Sequence, residues 1–151
     1  MDFYPWMKTL HVLLAILAMG SNATYGIWQA RAARNPEHMG WTLRTVKFID
    51  DRVANPSYIG LAIFGVLMVL TGPWEFEMFW IAVAIGLYLL LMVLGLAVYT
   101  PLLSRQIRVF ETDGPHSPEF AQLTRRSRML GGLLGLIVIA IVVLMVVKPG
   151  A

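Results

Sequence analysis

The chain has 151 residues, of which 58% are hydrophobic and only 14% charged, with a formal net charge of +3 and no cysteine. A soluble domain carries about a quarter charged residues, so this balance points to a lipid bilayer and to one membrane domain covering residues 1–151. The missing cysteines exclude disulfides, thiolate metal sites and cysteine catalysis, and the small charge excess, gathered beside apolar runs, reads as membrane orientation and not as a nucleic-acid footprint.

A spanning helix needs about 20 mostly apolar residues, and four segments qualify, over about 5–30, 56–71, 79–99 and 129–147. The expected fold is all-α: an integral membrane four-helix bundle with an amphipathic surface helix between the first two spans. The first segment opens like a signal peptide, with Lys8 before an apolar run over Val12 to Met19. It then continues through Tyr25, Ile27 and Trp28 to an arginine-rich boundary, as a retained span does.

At 3.6 residues per turn, His11, Ala15, Ala18, Asn22, Tyr25 and Gln29 form one stripe on this first helix. Polar groups facing lipid are costly, so the stripe is predicted to face the bundle interior. His11, Lys8, Asn22 and Tyr25 are the candidate binding residues, and His11 the candidate metal ligand, since imidazole suits iron, copper and zinc. In one reading His11 is an axial ligand of haem b and Lys8 pairs with a propionate. In the other His11 hydrogen-bonds to Tyr88 or to a backbone carbonyl of a neighbouring helix, while Lys8 snorkels to the headgroups.

The next stretch, PEHMGWTLRTVKFIDDRVA, places Met39, Leu43, Val46 and Val53 near one face, with Arg44, Lys47, Asp50, Asp51 and Arg52 supplying charge. It is predicted to lie at the membrane surface as an amphipathic helix. Asp50 and Asp51 point about 100° apart on a helix and do not converge on one atom, so a surface ion-pair network is expected of them. Asn35-Pro36, Asn55-Pro56 and Ser117-Pro118 each place a capping side chain before a proline suited to the first helical position. Tyr58 and Trp74 are expected at the two interfaces of the second span, and Thr71-Gly72-Pro73 to end it. Asp113-Gly114-Pro115 marks a turn in the second long connection. PEFAQLTRRSRM is predicted to run into the fourth span as one helix, with GGLLG at Gly131, Gly132 and Gly135 as a small-residue packing face.

Arg31, Arg34, Arg44, Lys47 and Arg52 lie in the first connection, and Arg105, Arg108, Arg125, Arg126 and Arg128 in the third; the short middle turn has Glu75 and Glu77 and no basic residue. Both basic connections are therefore expected in the cytoplasm, in a bacterial inner membrane, with both termini outside. His38 and His116 fall in these connections, where solvated roles are expected. No nucleotide loop, nucleophile elbow or zinc-protease motif is present, so no catalytic residue is singled out and enzymatic activity is left open.

The stretch Trp6-Met7-Lys8-Thr9-Leu10-His11-Val12 resembles the opening of the HemJ-type protoporphyrinogen oxidases and of the copper-resistance CopD group, whose first spans carry Lys-x-x-His or Leu-His near the outer end. That resemblance implies a haem-ligating role for His11, with Lys8 beside it. The HemJ-type Leu-Pro-Arg-Leu and Tyr-His signature has no counterpart in NATYGIWQARAAR. The four-span layout as a whole, with GSNATYGIWQARAAR and IDDRVANPSYIG in its first half, is most similar to a bacterial family of predicted integral membrane proteins, domain of unknown function family 2269. The expectations for function are a noncatalytic accessory or assembly subunit in contact with lipid and with other membrane chains or its own copies, or a haem-binding redox protein built on His11. A solute or proton carrier is less supported, because the spans lack Asp and Glu.

Overall fold

In the computed structural model, which describes residues 3–150, four helices account for almost the whole chain. They are α1 (Tyr4–Ala32), α2 (Pro36–Thr71), α3 (Phe79–Asp113) and α4 (Pro118–Val147), each long and apolar enough to cross a membrane. The predicted all-α four-helix membrane bundle is what the chain forms.

Two of the helices are longer than the sequence led us to expect. The amphipathic stretch and the second span are one 36-residue helix, and the third span runs on to make a 35-residue helix. Asn55 therefore caps nothing, and neither does Asn35; Ser117 does cap, its Oγ accepting from Phe120 N–H at 3.2 Å. The reason that Pro56 and Pro101 fail to break their helices is visible in the turn before each. A helical proline removes one N–H donor, and its ring collides with the carbonyl four residues back. Here the chain widens into a π-helical turn at Asp50–Ala54 and another at Val93–Tyr99. The residue ahead of each proline then bonds five residues back, Asn55 N–H to the Asp50 carbonyl and Thr100 N–H to that of Gly95. The extra room takes the ring without a break.

About 20 residues suffice to cross a bilayer, so α2 and α3 project well beyond it. The α1–α2 and α3–α4 connections lie at the same end, and the tightest packing is there. Leu43, Val46, Leu103 and Gln106 are the largest fully buried side chains. Ion pairs bind the helices across this core, Arg44 to Glu111 at 2.9 Å and Arg105 to Glu119 at 2.6 Å. Within the spans, by contrast, large side chains such as Leu89, Leu136 and Val146 are widely exposed. Water drives apolar groups together, whereas lipid tails are as apolar as leucine and do not. The face holding Met39, Leu43 and Val46 is thus covered by protein and not by headgroups, while Arg44 is exposed.

The opposite end is closed by an aromatic cluster suited to an interface. Trp74 Nε1 donates to the Tyr4 hydroxyl at 2.7 Å, and its ring meets Trp80 edge-on at 5.3 Å. Lys148 Nζ sits 4.1 Å from the Trp74 ring centre, a cation–π arrangement. Gly72 ends α2, as expected, and Gly114 takes φ 82° at the turn after α3, a backbone that favours glycine.

Candidate functional site

The interior stripe on α1 is where periodicity put it. Ala18, Tyr25 and Ala32 are buried, and His11, Ala15, Asn22 and Gln29 are partly so. The four candidate residues do not share one site, however. His11 and Asn22 are eleven positions apart, about 16 Å along a helix.

His11 packs on α2. Its Nδ1 lies 3.0 Å from the Leu61 carbonyl oxygen, and because a carbonyl only accepts, Nδ1 carries the proton. A Cβ added at Gly65 would stand 3.1 Å from His11 Cε1. Glycine, one turn beyond Leu61, leaves the ring its place against the helix. The partner is thus a backbone carbonyl; Tyr88 is spent elsewhere, its hydroxyl donating to the Tyr58 carbonyl. Lys8 is exposed. His38 and His116 lie at the other end of the bundle, and among the described residues no three His, Asp or Glu side chains gather as a metal-binding set.

Asn22 and Tyr25 line something the sequence did not suggest. A cavity of about 730 Å³ lies between the α1–α2 and α3–α4 hairpins, reached by residues of all four helices. Asn22, Tyr25 and Gln29 come from α1, Asp50 and Tyr58 from α2, Tyr99 and Gln106 from α3, and Thr124, Ser127 and Arg128 from α4. Its other walls are apolar or bare, with Leu91, Met92, Leu134 and Val138 on one part and Gly26, Gly131, Gly132 and Gly135 on another. A smaller cavity of about 520 Å³ adjoins it through Ala33, Met39, Thr124 and Arg128, and adds His116 and Arg125.

Asp50 is the centre of the polar part. Only 4% of it is exposed. Thr100 Oγ1 donates to its Oδ2 at 2.9 Å and Asn55 Nδ2 to the same atom at 3.3 Å. The carboxylate therefore joins the π-helical turn of α2 to the residue that closes the one in α3. This corrects the expectation of a surface ion-pair network for both acids. Asp51 does pair on the surface, with Lys47, and Arg44 goes to Glu111, but Asp50 turns inward and makes no ion pair among the described residues. The sequence held the signal. Met39, Leu43, Val46 and Asp50 step by four, three and four, so Asp50 continues the apolar face into the bundle. Tyr58 is likewise not at an interface; it is buried, and its hydroxyl accepts from Asn22 Nδ2 at 2.8 Å.

Several polar atoms around this cavity have no partner. They are Asn22 Oδ1, the Tyr25 hydroxyl and Gln106 Oε1, although Gln106 Nε2 does donate to Thr124 Oγ1 at 3.0 Å. A buried polar atom without a partner costs about 1–3 kcal/mol, and three beside one cavity imply that something polar completes them. The glycines of α4 also differ from expectation. A Cβ at Gly132 or Gly135 would meet nothing within 4 Å, so these two glycines are not packed on a neighbouring helix but border the cavity, while Leu134 between them is buried. No pair of side chains here forms a nucleophile and base. The site offers hydrogen-bond acceptors, one carboxylate, and an arginine at its rim.

Four membrane-crossing helices in two hairpins, with a polar cavity between them, define the class: a four-helix integral membrane protein. The chain belongs to the family described as predicted integral membrane protein (DUF2269), whose profile matches residues 5–149. No curated protein and no solved structure matches it. The family match bears on the second resemblance drawn from the sequence and not on the HemJ or CopD likeness.

Proposed function

We propose that the protein is a noncatalytic accessory subunit of the bacterial inner membrane that holds a membrane-borne amphiphile between its two hairpins. One observation carries this reading: the cavity combines three unpartnered buried polar atoms with an apolar and glycine-lined remainder. An amphiphile fits both parts, whereas water alone leaves the apolar wall unfilled. Its entry is the side where exposed Ala23, Gly26 and Ala30 of α1 and Gly132, Gly135 and Ile139 of α4 border the cavity. Handing such a ligand to, or receiving it from, another membrane chain is an accessory role that needs no catalytic residue. The five basic residues in each of the two long connections support an orientation with the tight core in the cytoplasm and both termini outside.

Native mass spectrometry of the protein released from detergent tests the reading. One amphiphile per chain should survive in the parent protein and be lost in Gly132→Phe/Gly135→Phe, which fills the space. Equal retention by both, or none in the parent, would remove the claim.

A second reading rests on His11. With Nδ1 donating to Leu61, Nε2 keeps its lone pair, the tautomer an axial haem ligand needs. Under it the protein purified from cells shows a Soret band that His11→Leu abolishes. A featureless visible spectrum in protein never stripped of cofactor leaves His11 as an interhelical contact.

A further inference from the structure

We propose that the cavity selects amphiphiles whose head is a zwitterion, a phosphate set against Arg128 and a primary ammonium set against Asp50. The proposal rests on the ligand-holding reading above and names the chemistry of that ligand. Its basis is a pair of opposite charges that border one cavity without meeting. Asp50 is buried and Arg128 exposed at the rim, and neither makes an ion pair among the described residues. Lys47, three residues before Asp50, is engaged with Asp51, and Arg52, two residues after it, is exposed. A buried carboxylate and an arginine that do not neutralise each other call for a ligand carrying both complementary charges.

The remaining polar atoms fit the same head. A primary ammonium has three N–H donors. Asp50 takes one, through the carboxylate capacity that Thr100 and Asn55 leave, since both donate to Oδ2 alone. The unpartnered Tyr25 hydroxyl and Gln106 Oε1 are oxygens able to accept the others, and Gln106 is fully buried. Arg128 supplies a planar fork suited to phosphate oxygens, with Arg125 in the adjoining smaller cavity. The chain of the amphiphile then lies toward Leu134 and Val138, along the glycines of α4. A trimethylated ammonium keeps its charge but has no N–H to give, so it leaves Tyr25 and Gln106 unsatisfied. A glycerol head lacks the cation altogether.

The test uses the full chain, delipidated in detergent and titrated with lysophospholipids of one chain length and three heads, phosphoethanolamine, phosphocholine and phosphoglycerol. Occupancy is read by native mass spectrometry. The ethanolamine head should bind at least about tenfold more tightly than either other, the ratio a single good polar contact gives. Tyr25→Phe removes an unpartnered hydroxyl, so it leaves the fold intact, and it should weaken the ethanolamine head while sparing choline. Asp50→Asn should erase the ethanolamine preference, and Arg128→Gln should weaken the ethanolamine and choline heads alike. O-Phosphoethanolamine without a chain should bind far more weakly than the lysophospholipid. Equal binding of the three heads overturns the zwitterion while leaving an amphiphile in the cavity. Preference for phosphoglycerol overturns it in favour of a plain anion site. Binding of chain-free phosphoethanolamine as tight as the lipid form overturns the lipid source, and no bound amphiphile of any kind overturns this proposal together with the reading beneath it.

Discussion

Leu43 and Leu136 show how far the value of one side chain depends on its surroundings. Leu43 is completely buried in the part of the bundle that stands in water, and Leu136 is 67% exposed within a span. Leu43→Ala removes apolar contacts that water enforces and leaves a hole, and it should cost about 2–5 kcal/mol. Leu136→Ala exchanges one lipid contact for another and should stay within about 0.5 kcal/mol. Reversible unfolding in mixed micelles measures both, and similar losses at the two sites would refute the division into a tight core and a loose membrane part. The polar residues follow the same reasoning. His11→Leu deletes one interhelical hydrogen bond, worth about 1–2 kcal/mol at most in lipid, and the same unfolding measurement reads it. The stripe from His11 to Gln29 was legible because helical spacing alone aligns it. That His11 would meet Leu61 was not, because a backbone carbonyl has no sequence signature.

At the scale of the elements, the two proline-associated π-helical turns are the feature that shapes the bundle. A π-helical turn inserts extra residue into a helix and resets which side chains face inward beyond it. In α2 the turn separates the face of Met39, Leu43 and Val46 from that of Ser57 and Tyr58, and both are buried. Deleting Val53 should restore a regular helix and rotate one half against the other by about 100°. Either the tight core around Leu43 or the Tyr58 face must then leave the interior. We expect the deletion to yield aggregated protein by size-exclusion chromatography, and deletion of exposed His116 in the α3–α4 turn to yield the normal peak. The turns are also coupled through Asp50 and Thr100, 2.9 Å apart. A double-mutant cycle of Asp50→Asn and Thr100→Val should give an interaction of about 0.5–3 kcal/mol; strict additivity would mean that the two helices are fixed independently. The sequence announced each proline, and proline ordinarily marks a helix start or a break. Continuation through it depended on the neighbouring helices, which no local pattern records.

For the whole molecule, the charge distribution and the packing agree on one axis. Arginines and the water-driven core occupy one end, and the Tyr4, Trp74, Trp80 and Lys148 cluster the other. If the basic end is cytoplasmic, a cysteine at Glu75 should react with a membrane-impermeant maleimide on intact cells, and one at Ser104 only after lysis. Both positions are exposed, so reagent access within the chain does not confuse the result. Labelling at Ser104 alone would invert the orientation.

The sequence by itself determined the membrane class, the number of spans, the inward stripe of α1 and the end at which charge gathers. Each of these follows from composition or from the period of one helix, and hydrophobicity acts on them without reference to a partner. It did not determine that α2 and α3 run unbroken past Pro56 and Pro101, that Asp50 is inside, or that a cavity separates the hairpins. Those depend on which faces of different helices meet. Asp50 is tolerable in the interior only because Thr100 and Asn55 reach it, and Gly132 and Gly135 bound an open space only because no neighbouring side chain fills it. Charge burial and empty volume are properties of several helices at once, so the tertiary structure decided them.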